Sequence, residues 1–157
     1  MGFVGSLLLI ALPLLMSRGA FAECPVVPAD IRAIAKYSAV VFSGTVTKIE
    51  SRNAFNRGAE AVTFDVERVW KGSPSKQFVV NNITFTGIID VGFVFQTGTK
   101  YIVFAHRQSA EERALFGLAA AGPTTFGIAP CGGGTSVYEE GKVDIAKLGA
   151  GRAPSSQ

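Results

Sequence analysis

Two extended runs set the fold class of this chain. The first is Ala39-Val-Val-Phe-Ser-Gly-Thr-Val-Thr-Lys-Ile-Glu50, and the second is Ala61-Val-Thr-Phe-Asp-Val-Glu-Arg-Val-Trp-Lys-Gly72. In the first, Val40, Phe42 and Val46 alternate with Ser43, Thr45 and Thr47. That two-residue period belongs to a strand with one buried face. Gly44 falls in the apolar register, where a missing side chain permits a sharp bend. In the second run Val62, Phe64 and Val66 alternate with Thr63, Asp65 and Glu67, and the pattern then slips at Arg68-Val69. A slip of one residue predicts a β-bulge.

Three more strands are expected. They are Lys76 to Ile83, Tyr101 to His106 and Ala114 to Leu118. Tyr101-Ile-Val-Phe-Ala-His106 is apolar on both faces and reads as central. A short helix over Ala29–Ser38 precedes the first strand, with Ile31, Ile34 and Ala35 on one face. Ser51–Glu60 reads as a polar loop, Gly72-Ser-Pro-Ser75 as a turn, and Gln108–Arg113 as a charged loop. The stretch Thr84–Gly98 is readable either as a strand or as an excursion packed over the barrel. Ser136–Leu148 has room for a C-terminal helix, and Gly149–Gln157 reads as a frayed, flexible tail. The expected fold is mainly β: a five-stranded, OB-like Greek-key barrel with a short N-terminal helix. At 157 residues, with 48% hydrophobic and 17% charged, the chain makes one domain with a real core.

The N-terminus carries an export pattern. Leu7–Met16 is apolar, and Ala20-Phe-Ala22 matches a signal-peptidase site, so cleavage between Ala22 and Glu23 is expected. No Lys or Arg precedes the apolar run. The alternative is an N-terminal anchor, but the run is about half of the roughly 20 residues a membrane span requires. Residues 1–22 are thus a signal peptide, 23–148 the domain and 149–157 the tail. A secreted or periplasmic location follows, with no transmembrane segment in the mature chain. A lipid anchor on Cys24 is the lesser alternative, because Glu23 stands where a small residue normally precedes a lipidated cysteine. Cys24 and Cys131 are the two cysteines, and both lie in the exported part, where disulfides form. A Cys24–Cys131 bridge would close a loop of about a hundred residues, worth roughly 4–5 kcal/mol on chain entropy alone. The alternative is two free thiols. Loss of Arg18 with the signal lowers the formal charge from +3 to about +2. With the basic residues scattered among acidic ones, no nucleic-acid partner is expected.

The motifs resemble one family. Ala39-Val-Val-Phe-Ser-Gly-Thr-Val resembles the first strand of the netrin-like/tissue-inhibitor-of-metalloproteinases (TIMP-like) domains, in the form seen in bacterial proteins. Thr63-Phe-Asp-Val-Glu-Arg-Val-Trp-Lys-Gly72 is similar to their strand that ends in an aromatic-Lys-Gly turn. Gly98-Thr-Lys-Tyr-Ile-Val-Phe-Ala105 is similar to their fourth strand. The likeness runs from about Cys24 to Cys131. It implies an OB-type barrel, with an N-terminal cysteine before a short helix and a late cysteine after strand five. Inhibitors of that family chelate a protease zinc through the α-amine and carbonyl of an N-terminal cysteine. That implies a metal contact at Cys24 only if Cys24 is the mature N-terminus. This chain departs from the pattern, with Glu23 ahead of Cys24, and Pro25 and Val26 in place of a Cys-X-Cys start.

No catalytic set emerges, and no cofactor or metal site is expected. His106 is the lone histidine, and a single His at a strand end reads as surface or packing. No Gly-X-Ser-X-Gly elbow or phosphate loop is present, and Gly132-Gly-Gly134 lacks the lysine that follows in a phosphate loop. Glu111-Glu112 and Glu139-Glu140 read as solvated surface. Asp65, Glu67, Arg68 and Lys71 read as a charged outer barrel face, and Trp70 as rim or core packing. Asn82-Ile-Thr84 matches a glycosylation acceptor. The expectation is a non-enzymatic module that binds another extracellular or periplasmic protein. The alternatives are a metalloendopeptidase inhibitor acting through Cys24, and a barrel binding oligosaccharide or single-stranded nucleic acid. The last needs exposed aromatics on strands two and three. Phe64 and Phe78 are the nearest candidates, and both fall on the core face.

Overall fold

The first strand, β1 (Val40–Ala54), is long enough to serve two partners. Its first half pairs antiparallel with β4 (Lys100–Arg107), from Val40↔Ala105 to Thr45↔Lys100. Its whole length pairs with β2 (Arg57–Lys71), from Val41↔Lys71 to Ala54↔Arg57. Gly44 is the bend point. A Cβ there would lie 2.7 Å from the Asp65 carbonyl oxygen and 3.2 Å from Val66 Cα, so β1 and β2 approach as only a glycine allows. The structure is a computed structural model and describes residues 30–54, 57–85, 92–115, 117, 125–129, 132–139 and 144–156.

Strand β3 (Gln77–Phe85) continues antiparallel from β2, and the short β5 (Phe126–Ile128) runs parallel to it at Asn81↔Gly127 and Asn82↔Ile128. β5 pairs antiparallel with β4, and β4 with β1, so the order β1-β2-β3-β5-β4 closes on itself. A two-residue β6 (Ser136–Val137) adds to the outer edge of β4. This is the OB-type barrel read from the alternating runs. The slip near Arg68-Val69 is real and double. The β1–β2 register skips Glu67 and again Trp70, which brings Val66 and Val69 both into the core although they are an odd number of residues apart.

Rings fill the barrel. Phe42 meets Phe64 and Phe78 edge-on at 5.3 and 5.6 Å, Phe64 meets Phe95 at 5.5 Å, and Phe93, Phe95 and Tyr101 pack mutually at 4.8 to 5.8 Å. Phe126 closes the β3–β5 side against Phe78. Edge-to-face contacts of this kind contribute about 0.5–1.5 kcal/mol each beyond burial. Outside the wall, helix α1 (Ile31–Tyr37) lays Ile31, Ile34 and Ala35 on Val41, Ile102 and Phe104, joined by Trp70, Tyr138, Ile145 and Leu148. The Asp30 carboxylate caps α1 by accepting from Arg32 N, and Lys71 Nζ donates to the Ala35 and Lys36 carbonyls at its C-terminal end.

Four expectations need correction. Ser51–Glu60 is not an open polar loop, because β1 and β2 stay paired to Ala54↔Arg57. Ser51 and Arg52 are exposed while Ala59 is buried, so the arm lacks the continuous apolar alternation that a strand reading relies on. Gln108–Arg113 is not a loop either. Helix α2 (Ala110–Leu115) starts there, with Ser109 Oγ accepting from Glu112 N. Strand five is accordingly Phe126–Ile128, because Ala114 and Leu115, where the strand was expected to begin, end α2. The C-terminal residues do not hang free. After a 3-10 helix (Ile145–Leu148), Arg152 and Val69 exchange two backbone hydrogen bonds of 2.8 Å, and Ser155 N donates to the Pro74 carbonyl at 3.1 Å. The strap takes the edge of β2 beyond the end of β3. The Thr84–Gly98 stretch, in its described part 92–98, is the excursion rather than a strand. Among the described residues no helix is long and apolar enough to cross a membrane.

Candidate functional site

Cys24, Cys131, and the expected cleavage point Ala22–Glu23 lie outside the described residues. Several of the other singled-out groups hold the scaffold. His106 Nε2 lies 3.0 and 3.1 Å from the two Glu112 carboxylate oxygens. Gln108 Nε2 donates to Glu112 at 3.2 Å, and Asn81 Nδ2 donates to Gln108 Oε1 at 2.7 Å. This chain fastens α2 to β4 and β3. Glu112 is therefore half-buried and engaged, not the solvated residue expected, while Glu111 stays exposed. The Glu111 carboxyl is held below the usual range by its own backbone N–H and the Ser109 hydroxyl.

The charged outer face is a lattice of short contacts. Lys100 Nζ reaches Glu67 at 2.6 Å and lies 4.3 Å from the centre of the Tyr138 ring. Hydrogen bonding from Lys100 is the main reason the Glu67 carboxyl sits below the ordinary range, with help from the Thr45 hydroxyl at 3.0 Å. Trp70 bulges outward, and its Nε1 donates to the Gly149 carbonyl at 2.9 Å beneath the strap. Phe64 is fully buried and Phe78 packs on the core, so neither forms a stacking platform.

Another place, beside the excursion, is open. Asn82, on β3, is 1% exposed, and its side chain grips the excursion like a strand partner. Its Nδ2 donates to the Phe93 carbonyl at 2.6 Å, and its Oδ1 accepts from Phe93 N at 3.3 Å. The sequon asparagine is thus internal and consumed, which leaves no room for a glycan on the folded chain. Nδ2 also donates to Glu60 Oε2 at 3.2 Å. Farther along, Gln96 N donates to the Tyr101 hydroxyl at 2.9 Å, and Gly98 N to the Val46 carbonyl at 2.8 Å. The segment 92–98 is thereby held at both ends. Phe93 and Phe95 point into the ring cluster, while Val94 points outward, 78% exposed.

Beside Val94 opens a cleft of about 290 Å³ lined by Glu60, Thr84, Gly92, Phe93, Val94 and Phe95. Its size is near the low end for ligand pockets and its walls are mostly apolar, with Glu60 supplying the one ionisable side chain of the lining. Sequence reading missed this site. The signal was present as a buried-register Asn82 inside an apolar strand, but its partners lie on another segment. Comparison with family models, with curated proteins and with solved structures finds no match for this chain.

Proposed function

We propose that this chain is an exported, non-enzymatic module that holds a protein partner at the rim formed by Glu60, Thr84 and residues 92–95. The observation that carries the proposal is the anchored segment 92–98, with the exposed Val94 beside an open cleft. A surface fixed in advance loses little conformational entropy on binding. The chemistry elsewhere supports the same reading. Among the described residues, His106, Glu112, Glu67, Lys71 and Lys100 are all engaged in contacts that fasten helices or strands. Export rests on the Leu7–Met16 run and the Ala20-Phe-Ala22 site.

The test immobilises the purified chain and passes native secretome or periplasmic extract over it at several salt concentrations. Wild type is compared with Val94→Asp and with Val137→Asp, an exposed valine on β6. A partner kept by wild type and V137D but lost by V94D supports the reading. Failure of wild type to retain any protein at any salt would sink it. The resemblance to netrin-like/TIMP-like domains supports a second reading, inhibition of a metalloprotease through Cys24. N-terminal sequencing of the exported chain decides its premise: a start at Glu23 removes the chelating mechanism, and a start at Cys24 sends the protein to a metalloprotease assay.

A further inference from the structure

We infer that the cleft beside Val94 is a receptor for a lysine side chain of the partner polypeptide. This rests on the binding-module reading and specifies its chemistry. The first ground is charge. Glu60 is the one ionisable group of the lining, and among the described residues it has no cationic partner. The second is the count of acceptor positions. Glu60 Oε2 is already bound by Asn82 Nδ2, while Oε1 receives no hydrogen bond among the described residues. One open carboxylate oxygen suits an ammonium, which acts as a point charge. A guanidinium prefers two oxygens side by side.

Shape agrees with charge. The cleft is too small for a large ligand, yet it accommodates an unbranched aliphatic stem. Thr84, Phe93 and Val94 supply apolar atoms along the way, so a four-carbon stem would lie against them while its head reaches Glu60. Rigidity agrees as well. The same Asn82 that orients the Glu60 carboxylate also clamps Phe93, so the anion and the apolar wall are fixed relative to each other.

The experiment titrates the ¹⁵N-labelled purified chain with three blocked tripeptides. Each has alanine on both sides of a central lysine, arginine or Nε-acetyl-lysine. Expected is a set of amide shifts confined to Glu60, Thr84 and residues 92–95 with the lysine peptide. Binding should fall about ten-fold with arginine and be lost with acetyl-lysine, as the removal of a charge-assisted hydrogen bond requires. Glu60→Gln keeps an acceptor for Asn82 and should leave the spectrum otherwise intact while abolishing the lysine response. Equal response to acetyl-lysine, shifts elsewhere, or none at millimolar peptide overturns the inference. A parallel capture from extract separates the two levels of the proposal. A partner held equally by wild type and E60Q removes the lysine receptor but leaves the module, whereas no partner with either removes the module.

Discussion

Replacing Gly151 by alanine should peel the C-terminal strap from the barrel without unfolding it. Gly151 has φ +67°, and a Cβ there would stand 2.7 Å from Arg68 Cγ and 3.1 Å from Trp70 Nε1. The backbone conformation alone costs about 1–2 kcal/mol for a residue with a Cβ. Crowding adds to that, because the indole is held between the strap and the outer cluster. Against this stand the Val69–Arg152 pair of backbone hydrogen bonds and the Trp70–Gly149 bond, each worth about 0.5–1.5 kcal/mol net. Ordering the strap consumes part of that through lost chain entropy. The cost of the substitution is therefore comparable to the bonds that hold residues 149–152, so that part of the strap lets go before the barrel does, leaving the Ser155 bonds to Pro74 as the remaining tether. Trp70 is the only tryptophan, so its emission reports the event directly. Expected is a red shift as Nε1 exchanges the Gly149 carbonyl for water, with a fall in Tm of about 2–4 °C for each kcal/mol lost. Gly98→Ala is the control. It carries the same kind of backbone cost at φ +82°, but nothing lies within 4 Å of its Cβ. G98A should lower Tm and leave the tryptophan emission unchanged. An unshifted emission in G151A, with Tm as in wild type, would refute the reasoning.

Three other outcomes follow from the same contacts. Gly44→Ala forces the β2 backbone at Asp65 and Val66 to retreat, so it should cost about 1–3 kcal/mol, read as a lowered midpoint in urea. Asn82→Ala leaves the Phe93 backbone groups without their partner and should cost about 2–3 kcal/mol; hydrogen exchange should rise first at residues 92–96, and uniform exchange would contradict the clamp. The Glu67 carboxyl is depressed mainly by Lys100, so its stabilisation is complete above the unfolded-state pKa and is lost as pH falls through the lower folded one. Lys100→Met should move the Glu67 titration up toward the ordinary carboxylate range in a ¹³C NMR titration. The stability change stays below about 1 kcal/mol, because the Glu67 side chain is 44% exposed.

The barrel was legible because its strands obey a local rule. Val40, Phe42, Gly44 and Val46 announce one buried face, and the break after Val66 announces a bulge, with no need to know the neighbours. Strand five was misplaced because the period rule was applied where a cap should have decided. Ser109-Ala-Glu-Glu112 is a capping-box pattern, and Ser109 Oγ accepting from Glu112 N is its N-cap half. Ala114-Leu-Phe-Gly-Leu118 looks like a strand only if that cap is ignored. The strap was hidden for a different reason. Gly149, Gly151 and two serines have the composition of a loose end, and the groups that hold them, Val69, Trp70 and Pro74, are far away in the chain, Trp70 and Gly149 being 79 positions apart.

The same distinction explains where the candidate site lies. Phenylalanine rings fill the described core, and the candidate cleft lies at its rim. A rim segment is ordinarily a poor receptor, because fixing it on binding costs conformational entropy. Here a buried amide removes that cost. Asn82 occupies a core-like position, 1% exposed, and among the described residues its two polar ends are satisfied by Phe93 and Glu60. A buried polar side chain contributes little net stability compared with an apolar one of its size, but it accepts only one arrangement of its partners. Its presence in β3 therefore makes sense as a device for geometry. It fixes the Phe93 backbone, and with it the exposed Val94 next in sequence, relative to the Glu60 carboxylate. Asn82→Val should accordingly approach wild type in stability more closely than Asn82→Ala, because it refills the site, while losing the lysine-peptide response. Retention of that response in N82V would show that the excursion needs no clamp.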